Sequence, residues 1–315
     1  MEELRPGAYG CVYRPAFRCK EPPVYPDEKY ISKVMRKKTA KKELSNYRAL
    51  NMRAIDANRQ YYLGEPELCT LENPESFTIT KKKCKINAPI AVLNYIDGGD
   101  NLITVLKRPR VNYVFLLKAF ENIFHAIVLM HANERYHLDI KLGNIVFDGK
   151  SCRLVDFGLS RTSGMKLSNI YLYGFLPPHY VYPYWPVEMS QLTNRPPALN
   201  LDLFNDYYDA MSSINYLIRR IPLKAIEGIQ PALNELSLPA RKKFIYERAD
   251  VWAIGIALYD IYHLLPATQS ELKGQLQDYI TFLLRVSIFD RPNALDALTA
   301  YQTFLSGIDD KIRRV

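Results

Sequence analysis

Three oxygen-bearing side chains and one cation follow one another closely near the middle of the chain. Asp139, Lys141 and Asn144 lie within six residues, and Asp156 comes twelve residues after Asn144. Asn144 and Asp156 offer the hard oxygen donors that Mg²⁺ prefers in proteins. Asp139 can then orient or deprotonate a hydroxyl group, and Lys141 can neutralise charge on a transferring phosphoryl group. The spacing therefore predicts phosphoryl-transfer chemistry.

The same residues carry a resemblance to protein kinases. His137-Leu138-Asp139-Ile140-Lys141, with Asn144 and then Asp156-Phe157-Gly158, resembles the kinase catalytic loop HxDxKxxN followed by DFG. The resemblance implies that Asp139 acts on an acceptor hydroxyl and that Lys141 stabilises the phosphoryl group. It also implies that ATP is the donor, and that Asn144 and Asp156 hold Mg²⁺, with Mn²⁺ as an alternative ion.

The start of the chain resembles the phosphate-holding parts of a kinase. Residues 7–12 (Gly-Ala-Tyr-Gly-Cys-Val) resemble the glycine-rich loop, with Arg5 in place of its first glycine. Lys33 resembles the strand lysine that holds the α- and β-phosphates. Glu43 is the sole carboxylate in residues 30–55, so we predict that it pairs with Lys33. The gap between them is shorter than is usual in the family, so the helix that carries Glu43 should lack its first turn or start close to the strand.

Residues 93–102 resemble the segment that joins the two lobes of a kinase. The resemblance implies main-chain contacts to adenine from Asn94 and Ile96, with Leu93 at the back of the pocket. Asp100 would accept hydrogen bonds from the ribose. Ile31 stands where the family usually has a small residue above adenine, which predicts a narrowed pocket. The nucleotide-binding positions implied by the resemblance are Gly7, Gly10, Val12, Ile31, Lys33, Leu93, Asn94, Ile96, Asp100 and Val146.

Two later motifs resemble structural landmarks of the family. Asp250, in Asp-Val-Trp-Ala-Ile-Gly, resembles the start of a helix that anchors the catalytic loop by accepting hydrogen bonds near His137. Glu188, in Trp-Pro-Val-Glu, resembles the end of the activation segment and would pair with buried Arg291. The resemblance runs from Leu4 to about Leu298. The residues of its first motifs are most similar to those of serine/threonine kinases of large nucleocytoplasmic DNA viruses.

The elements that must position these residues fall into two unequal halves. Short alternating runs predict strands at 12–13, 30–34, 77–80 and 89–95, with one helix at 39–55 capped by Thr39. After residue 97 the pattern is mainly helical, beginning with an apolar-faced helix at 111–133, and it includes short strands at 145–147 and 153–155. We therefore expect an α+β, bilobal kinase fold with a small β-rich lobe over residues 1–96 and a helical lobe over 97–315.

Three departures from the family pattern bear on regulation and substrate choice. Leu138 replaces the arginine that usually receives an activation-loop phosphate, so we hypothesise that the loop is active without phosphorylation. Lys141 favours serine or threonine acceptors, yet Val181 occupies the place of the supporting threonine. About sixty residues, 189–248, replace a much shorter segment. They form either a packed buttress containing a helix at 203–220 or a basic surface that recruits an acidic partner.

Composition excludes several other classes of protein. Of 315 residues, 48% are hydrophobic and 24% charged, which is typical of a globular chain rather than a disordered one. The net charge of +9 permits acidic partners, but it does not by itself support nucleic-acid binding. The longest apolar stretch, 251–265, is too short and broken to predict membrane insertion. Without a signal-like N-terminus we expect a cytoplasmic protein, or a virion protein, with five free thiols.

Three functional interpretations remain open from the sequence. The first is an ATP- and Mg²⁺-dependent protein kinase that phosphorylates serine or threonine. The second is a pseudokinase scaffold that binds ATP, which is favoured by the departures from the family pattern at Arg5 and Ile31. The third is a small-molecule kinase on the same core, against which the motifs around Glu188 and Asp250 speak. The sequence leaves the physiological substrate and the oligomeric state undetermined.

Overall fold

The computed structural model describes residues 2–7, 10–73, 86, 89–164, 182–192, 198–199, 201–210 and 228–312. The chain divides into two compact units, Met1–Gly99 and Asp100–Val315. The predicted border between residues 96 and 97 falls close to this division. The first unit is built on an antiparallel sheet and the second is mainly helical, which confirms the predicted α+β class.

The N-terminal unit contains a five-stranded antiparallel sheet of order β1-β2-β3-β5-β4. Its strands are β1 (Glu2–Gly7), β2 (Gly10–Arg14), β3 (Tyr30–Arg36), β4 (Glu67–Cys69) and β5 (Ile90–Ile96). The expected strand at 77–80 lies outside the described residues. The side chains of Val34 and Val92 are fully or almost fully buried at the centre of the sheet, beside Cys11 and Tyr13.

One helix follows the third strand without a loop. Helix α1 spans Lys37–Leu50, directly after the last residue of β3, so the expectation of a start close to the strand is confirmed. The predicted bounds, 39–55 with Thr39 as the cap, were wrong. The helix ends at Asn51, whose left-handed backbone (φ 45°) stops it, and a separate 3-10 turn, Met52–Ala54, follows.

The expectation of five free thiols was also wrong. Cys19, in the loop after β2, forms a disulfide with Cys69 at the end of β4, and their Cα atoms are 5.2 Å apart. Cys11 is disulfide-bonded as well. Within the described part of the chain Cys152 is the free thiol, and burial raises its pKa to about 12. Cys84 lies outside the described residues. The Cys19–Cys69 disulfide joins a loop to a strand fifty residues later.

The C-terminal unit combines short strands with long helices. Strands β6 (Asp100–Asn101), β8 (Ile145–Phe147) and β9 (Cys152–Leu154) form one small sheet, and β7 (Arg135–Tyr136) pairs with β10 (Arg161–Thr162). The helices are α2 (Leu102–Val105), α3 (Tyr113–Ala132), α4 (Leu201–Ala210), α5 (Ile229–Glu235), α6 (Leu238–Leu264), α7 (Ser270–Leu283) and α8 (Ala294–Ile312).

The core of this unit lies among four helices. Helix α3 packs against α8, and α6 packs against α7. The rings of Phe124 and Tyr301 lie 4.6 Å apart at the centre, and the Tyr301 hydroxyl donates to the Leu117 carbonyl over 2.8 Å. A buried phenol with a partner of this kind stabilises a core without an unsatisfied polar group.

One predicted helix start in this unit was wrong, and one predicted helix is described only in part. Asp250 was expected at the start of a helix, but α6 begins twelve residues earlier, at Leu238, with a proline in its first turn. Asp250 therefore lies in the interior of a 27-residue helix. The helix expected at 203–220 is described only as α4, Leu201–Ala210, and the rest of that range lies outside the described residues.

One described helix has the length and apolar composition of a membrane span. It is α3, and half of its most apolar window is buried inside the protein. A buried core helix of a globular protein has the same composition, so this feature is weak evidence for a membrane.

Candidate active site

The Asp139 carboxylate is the centre of a dense cluster of hydrogen bonds. Lys141 Nζ donates to both of its oxygens, over 2.8 Å to Oδ1 and 3.0 Å to Oδ2. Asn144 Nδ2 donates to Oδ2 over 2.7 Å and to the Asp139 main-chain carbonyl over 2.9 Å. The Tyr182 hydroxyl donates to Oδ1. Three of the four residues predicted for phosphoryl transfer are thus brought together around one buried carboxylate.

Asp250 fixes the start of this loop, as predicted. Its carboxylate accepts from the main-chain N–H of His137 over 2.9 Å and of Leu138 over 2.7 Å. His131 Nε2 lies 3.0 Å from the same carboxylate. Leu138 has a left-handed backbone (φ 60°), which a branched side chain rarely adopts. Asp250 therefore holds the loop in a strained conformation just before Asp139.

His137 supports Asp139 from inside the protein. Burial lowers the pKa of its imidazole, although the carboxylates of Asp250, Asp139 and Asp156 oppose that shift. A neutral ring can donate from Nε2 to the Val155 carbonyl, 3.2 Å away, while Nδ1 accepts the Asp139 main-chain N–H over 3.3 Å. One neutral tautomer satisfies both contacts.

The two predicted metal ligands are Asn144, at the end of the loop that begins at His137, and Asp156, shortly after strand β9. Asn144 uses its amide nitrogen on Asp139, which leaves its Oδ1 as an oxygen donor. Its main-chain carbonyl accepts from Val155 N over 3.0 Å, so it lies next to the residue preceding Asp156. Asp156 also has a left-handed backbone (φ 62°). Among the described residues no cluster of three or more His, Cys, Asp or Glu is placed to hold a metal. The amide–carboxylate pair has the oxygen donors that fit Mg²⁺.

In the N-terminal unit the predicted pairing of Lys33 with Glu43 is present. Lys33 Nζ donates to Glu43 Oε1 over 3.0 Å and to Oε2 over 3.2 Å. The Tyr95 hydroxyl also donates to Glu43 Oε1. Because both side chains are largely buried, at 14% and 5% exposure, the pair is better protected from solvent screening than a surface ion pair. Tyr95 is a supporting residue that the sequence analysis did not identify.

The predicted glycine loop is the turn of the β1–β2 hairpin. Gly7 and Gly10 are cross-strand partners, and Ala8 and Tyr9 between them lie outside the described residues. A Cβ on Gly10 would lie 2.4 Å from the Val34 carbonyl oxygen. This position therefore requires glycine for the packing of β2 on β3, whatever it contributes to phosphate binding.

The predicted adenine-binding residues lie on β3 and β5. Leu93 pairs with Lys33, and Ile31 pairs with Tyr95, so these side chains share one face of the sheet. Val12 on β2 is the other neighbour of Lys33. The sheet therefore groups these positions around the lysine.

Asn94 is placed differently from the prediction. It lies between Ser32 of β3 and Glu67 of β4, so the ladder is expected to occupy its main-chain groups. Its buried amide donates to the Cys19 sulfur over 3.0 Å and accepts from Ser32 Oγ. This geometry does not support an adenine contact from the main chain of Asn94. Ile96, the last residue of β5, remains a predicted contact.

Asp100 and Val146 lie in the small sheet of the C-terminal unit. Asp100 pairs with Phe147, the residue after Val146, and its carboxylate accepts from Arg108 Nη2 over 2.6 Å. A ribose hydroxyl at Asp100 would therefore meet a carboxylate that already has a cationic partner.

The predicted pair of Glu188 and Arg291 is fully buried. Arg291 Nη2 donates to Glu188 Oε1 over 3.3 Å, and both side chains have no solvent exposure. The Arg291 guanidinium also stacks on the Trp252 ring, 4.9 Å from its centroid. Burial raises the pKa of Glu188, and the charge of Arg291 opposes that shift. The pair ties the 3-10 turn Val187–Leu192 to the segment before α8.

Tyr182 is the functional-site residue that the sequence analysis missed. The family resemblance predicted Val181, which is outside the described residues, at the place of the supporting threonine. The next residue, Tyr182, directs its hydroxyl at Asp139. The available signal was the presence of three phenol hydroxyls close to that position in the sequence, those of Tyr180, Tyr182 and Tyr184.

Comparisons with known proteins give partial matches to protein kinases. A 76-residue segment is 33% identical to CBL-interacting protein kinase 15 of Oryza sativa subsp. japonica and covers 24% of this chain and 18% of that protein. A 70-residue segment is 34% identical to the carbon catabolite-derepressing protein kinase of Secale cereale, over 22% of this chain and 14% of that protein. A 94-residue segment is 30% identical to NUAK family SNF1-like kinase 2 of Rattus norvegicus, over 30% and 15%.

No family model matches the chain. The matched segments span less than a fifth of the length of these three relatives. These partial similarities support a protein kinase activity.

Proposed function

We propose that this protein is an ATP- and Mg²⁺-dependent protein kinase that phosphorylates serine or threonine. The observation that carries the proposal is the hydrogen-bonded group of Asp139, Lys141 and Asn144. A buried carboxylate with a lysine on both oxygens suits a reaction in which a hydroxyl is oriented while charge moves onto a phosphoryl group.

In the proposed reaction the acceptor oxygen attacks the γ-phosphorus of ATP. The bond from that phosphorus to the β–γ bridging oxygen breaks, and ADP leaves. Asp139 orients the acceptor hydroxyl and takes its proton, and the Lys141 ammonium, still paired with Asp139, stabilises charge on the transferring group. Catalysis then depends on positioning and electrostatics, since the protein forms no covalent bond to the phosphoryl group.

The remaining site residues bind and orient the donor. Lys33, held by Glu43, contacts the α- and β-phosphates, while Asn144 and Asp156 supply oxygen ligands. A bound Mg²⁺ would neutralise phosphate charge and stabilise the leaving group. The assignment of Ser or Thr as the acceptor is supported by Lys141 standing two residues after Asp139, as in the family resemblance. The names of the partial relatives support a protein kinase without naming the acceptor.

Substrate class, origin and location are proposals of the same kind. Protein substrates are supported by the buried Glu188–Arg291 pair and the Asp250 anchor, which shape the region after the activation segment. Arg241, Lys242 and Lys243 on α6 favour acidic partners, although Lys243 lies 3.5 Å from Glu134. A viral origin is supported only by the amino-acid sequence of the motifs around the glycine loop and Lys33. A cytoplasmic location is opposed by the Cys19–Cys69 disulfide, since reducing compartments rarely retain such bonds.

The test is transfer of the labelled γ-phosphoryl group of ATP to dephosphorylated casein in the presence of Mg²⁺. Label on serine or threonine in the wild type, lost in Asp139→Asn and Asp156→Ala, is the expected result. Both variants should keep the unfolding transition of the wild type. Absence of label with wild-type protein that binds ATP would sink the proposal.

The second candidate is a scaffold that binds ATP without transferring its phosphoryl group. The contact between Tyr182 and Asp139 favours it, because the candidate base already has a hydroxyl partner. Wild-type protein that binds ATP but labels neither casein nor itself would support this alternative.

A further inference from the structure

The Asp139 carboxylate already receives as many hydrogen bonds as a carboxylate usually accepts. Lys141 and Tyr182 donate to Oδ1, and Lys141 and Asn144 donate to Oδ2. An ionised carboxylate has about four lone-pair sites. An incoming hydroxyl that is to be oriented by Asp139 must therefore take the place of one of these donors.

Tyr182 is held in this position by several elements of its own unit. Its main-chain carbonyl accepts from Trp185 N over 3.0 Å and from the Tyr207 hydroxyl of α4 over 3.3 Å. Its ring lies 5.5 Å from the rings of Tyr184 and Trp185. Trp185 is fixed in turn, because its Nε1 donates to the Leu138 carbonyl over 2.7 Å. The phenol is thus directed at Asp139 by a packed framework rather than by one contact.

The three donors on Asp139 differ in how readily they can leave. Lys141 forms an ion pair with the carboxylate and makes hydrogen bonds to both oxygens. Asn144 is bound to both the carboxylate and the carbonyl of Asp139. Tyr182 is neutral and donates once to the carboxylate. Charged and doubly bonded donors are harder to displace than a single neutral hydroxyl.

We propose that Tyr182 is a specificity-determining residue whose hydroxyl occupies, on Asp139, the position of the acceptor hydroxyl. The inference rests on the proposed function and adds a rule for acceptor choice. A substrate must displace the phenol, so it exchanges one hydroxyl for another and gains no hydrogen bond at the base. Its affinity must come from contacts elsewhere, and a water molecule, which has none, is a poor acceptor.

The position of Lys141 agrees with a resting state in which Tyr182 occupies the acceptor position on Asp139. Its Nζ lies 3.2 Å from the Tyr182 oxygen and 5.7 Å from the centroid of that ring, while it also contacts Asp139. The lysine that would serve the phosphoryl group is therefore engaged by the same phenol. Displacing Tyr182 frees the Oδ1 site and one contact of Lys141 together.

The experiment compares full-length wild type, Tyr182→Phe and Tyr184→Phe. Tyr184 is the matched control, because its hydroxyl donates to Asp260 over 3.0 Å instead of to Asp139. Initial rates of labelling are measured over a range of dephosphorylated casein and, separately, of ATP. ATP hydrolysis is measured without casein, so that water is the acceptor.

Tyr182→Phe should lower KM for casein by about tenfold, because it removes a competing hydrogen bond to a charged group. KM for ATP should stay unchanged, and hydrolysis without casein should rise. Tyr184→Phe should match the wild type in all three.

A fall in kcat with an unchanged KM for casein would overturn the proposal and make Tyr182 a positioning residue for Asp139. Equal kinetics in all three proteins would overturn it too. If none of them labels casein or hydrolyses ATP, the proposed function itself fails, and the inference fails with it. The wild-type reaction alone separates that outcome from the other two.

Discussion

Lys33 and Glu43 form an ion pair, 3.0 Å from Nζ to Oε1, although only ten residues separate them in the chain. The short connection is achieved because α1 begins at Lys37, immediately after β3 ends at Arg36. Glu43 then lies on the buried face of the helix with Ala40 and Tyr47, directed at the sheet. A shortened helix entry has therefore preserved the pairing that the sequence implied.

Removing either charge of this pair should weaken ATP use. Glu43→Gln keeps the shape but loses the ion pair, and a hydrogen bond between charged groups contributes about 1.5–3 kcal/mol. We expect KM for ATP to rise by roughly tenfold to a hundredfold in Glu43→Gln and in Lys33→Met. Steady-state labelling of casein measures it. Lys38→Met, at an exposed lysine of the same helix, should behave like the wild type.

Short-range spacing predicted the pairing of Lys33 with Glu43, ten residues later. The family resemblance, rather than spacing, predicted the contacts of Asp250 near His137 and of Glu188 with Arg291, which lie far apart in the chain. The class of fold was foreseen from hydrophobic periodicity, with bounds that differ by a few residues where a backbone feature such as Asn51 ends an element.

Contacts between distant segments that no family motif indicates were not foreseen. Cys19 pairs with Cys69 because the loop after β2 lies beside β4, which no spacing rule indicates. The hydroxyl of Tyr182 reaches Asp139 from 43 residues later in the chain, one position after the residue that the motif predicted. Helix α6 begins at Leu238, before Asp250, within residues 189–248, for which the family resemblance offers no motif.

Asp156 and Asn144 should determine the response to Mg²⁺. Asp156→Ala removes the charged one of the two proposed oxygen ligands, so labelling should fall by at least about a hundredfold at any Mg²⁺ concentration. Asn144→Ala removes a neutral ligand, and its labelling should recover partly as Mg²⁺ is raised. Asp148→Asn changes a nearby carboxylate that pairs with Arg153, and its Mg²⁺ titration should overlay that of the wild type. Equal titrations in all four proteins would contradict the assignment.

The Glu188–Arg291 pair should be costly to half-remove. Arg291→Met leaves a buried carboxylate without its cation, and breaking a buried pair in this way costs about 3–5 kcal/mol of unfolding free energy. Glu188→Leu combined with Arg291→Met should recover most of that loss. Urea unfolding measures both. Lys243→Met, which breaks an exposed pair with Glu134, should change stability by less than about 1 kcal/mol. A double variant less stable than Arg291→Met would count against the pair.

The Cys19–Cys69 disulfide should stabilise the N-terminal unit. A bond that closes a loop of this length restricts the unfolded chain and contributes about 2–4 kcal/mol. Cys19→Ser/Cys69→Ser should unfold at correspondingly lower urea than oxidised wild type. Peptide mapping of the wild type without reductant should show the two cysteines linked. Finding both as free thiols in protein kept oxidised would refute the bond.

Protonation of His137 should couple acid pH to unfolding. Burial holds the pKa of its imidazole below 6.5, the ordinary value. The unfolded chain therefore binds a proton first as the pH falls, so the stabilising effect is present above about pH 6.5 and is lost as pH falls toward the folded-state pKa. One such proton gives a slope of up to about 1.4 kcal/mol per pH unit. Urea unfolding at a series of pH values from about 7.5 to about 5 measures the slope of the unfolding free energy against pH.

The comparison of two variants isolates this histidine from the others. His137→Gln removes the group, so its stability should depend less steeply on pH than that of the wild type, whatever its stability at pH 7.5. His125→Gln changes an exposed histidine, at 39% exposure, and should keep the wild-type slope. Acid should also reduce labelling by the wild type, because a protonated Nδ1 cannot accept the Asp139 N–H. Parallel slopes in wild type and His137→Gln would show that another group is responsible.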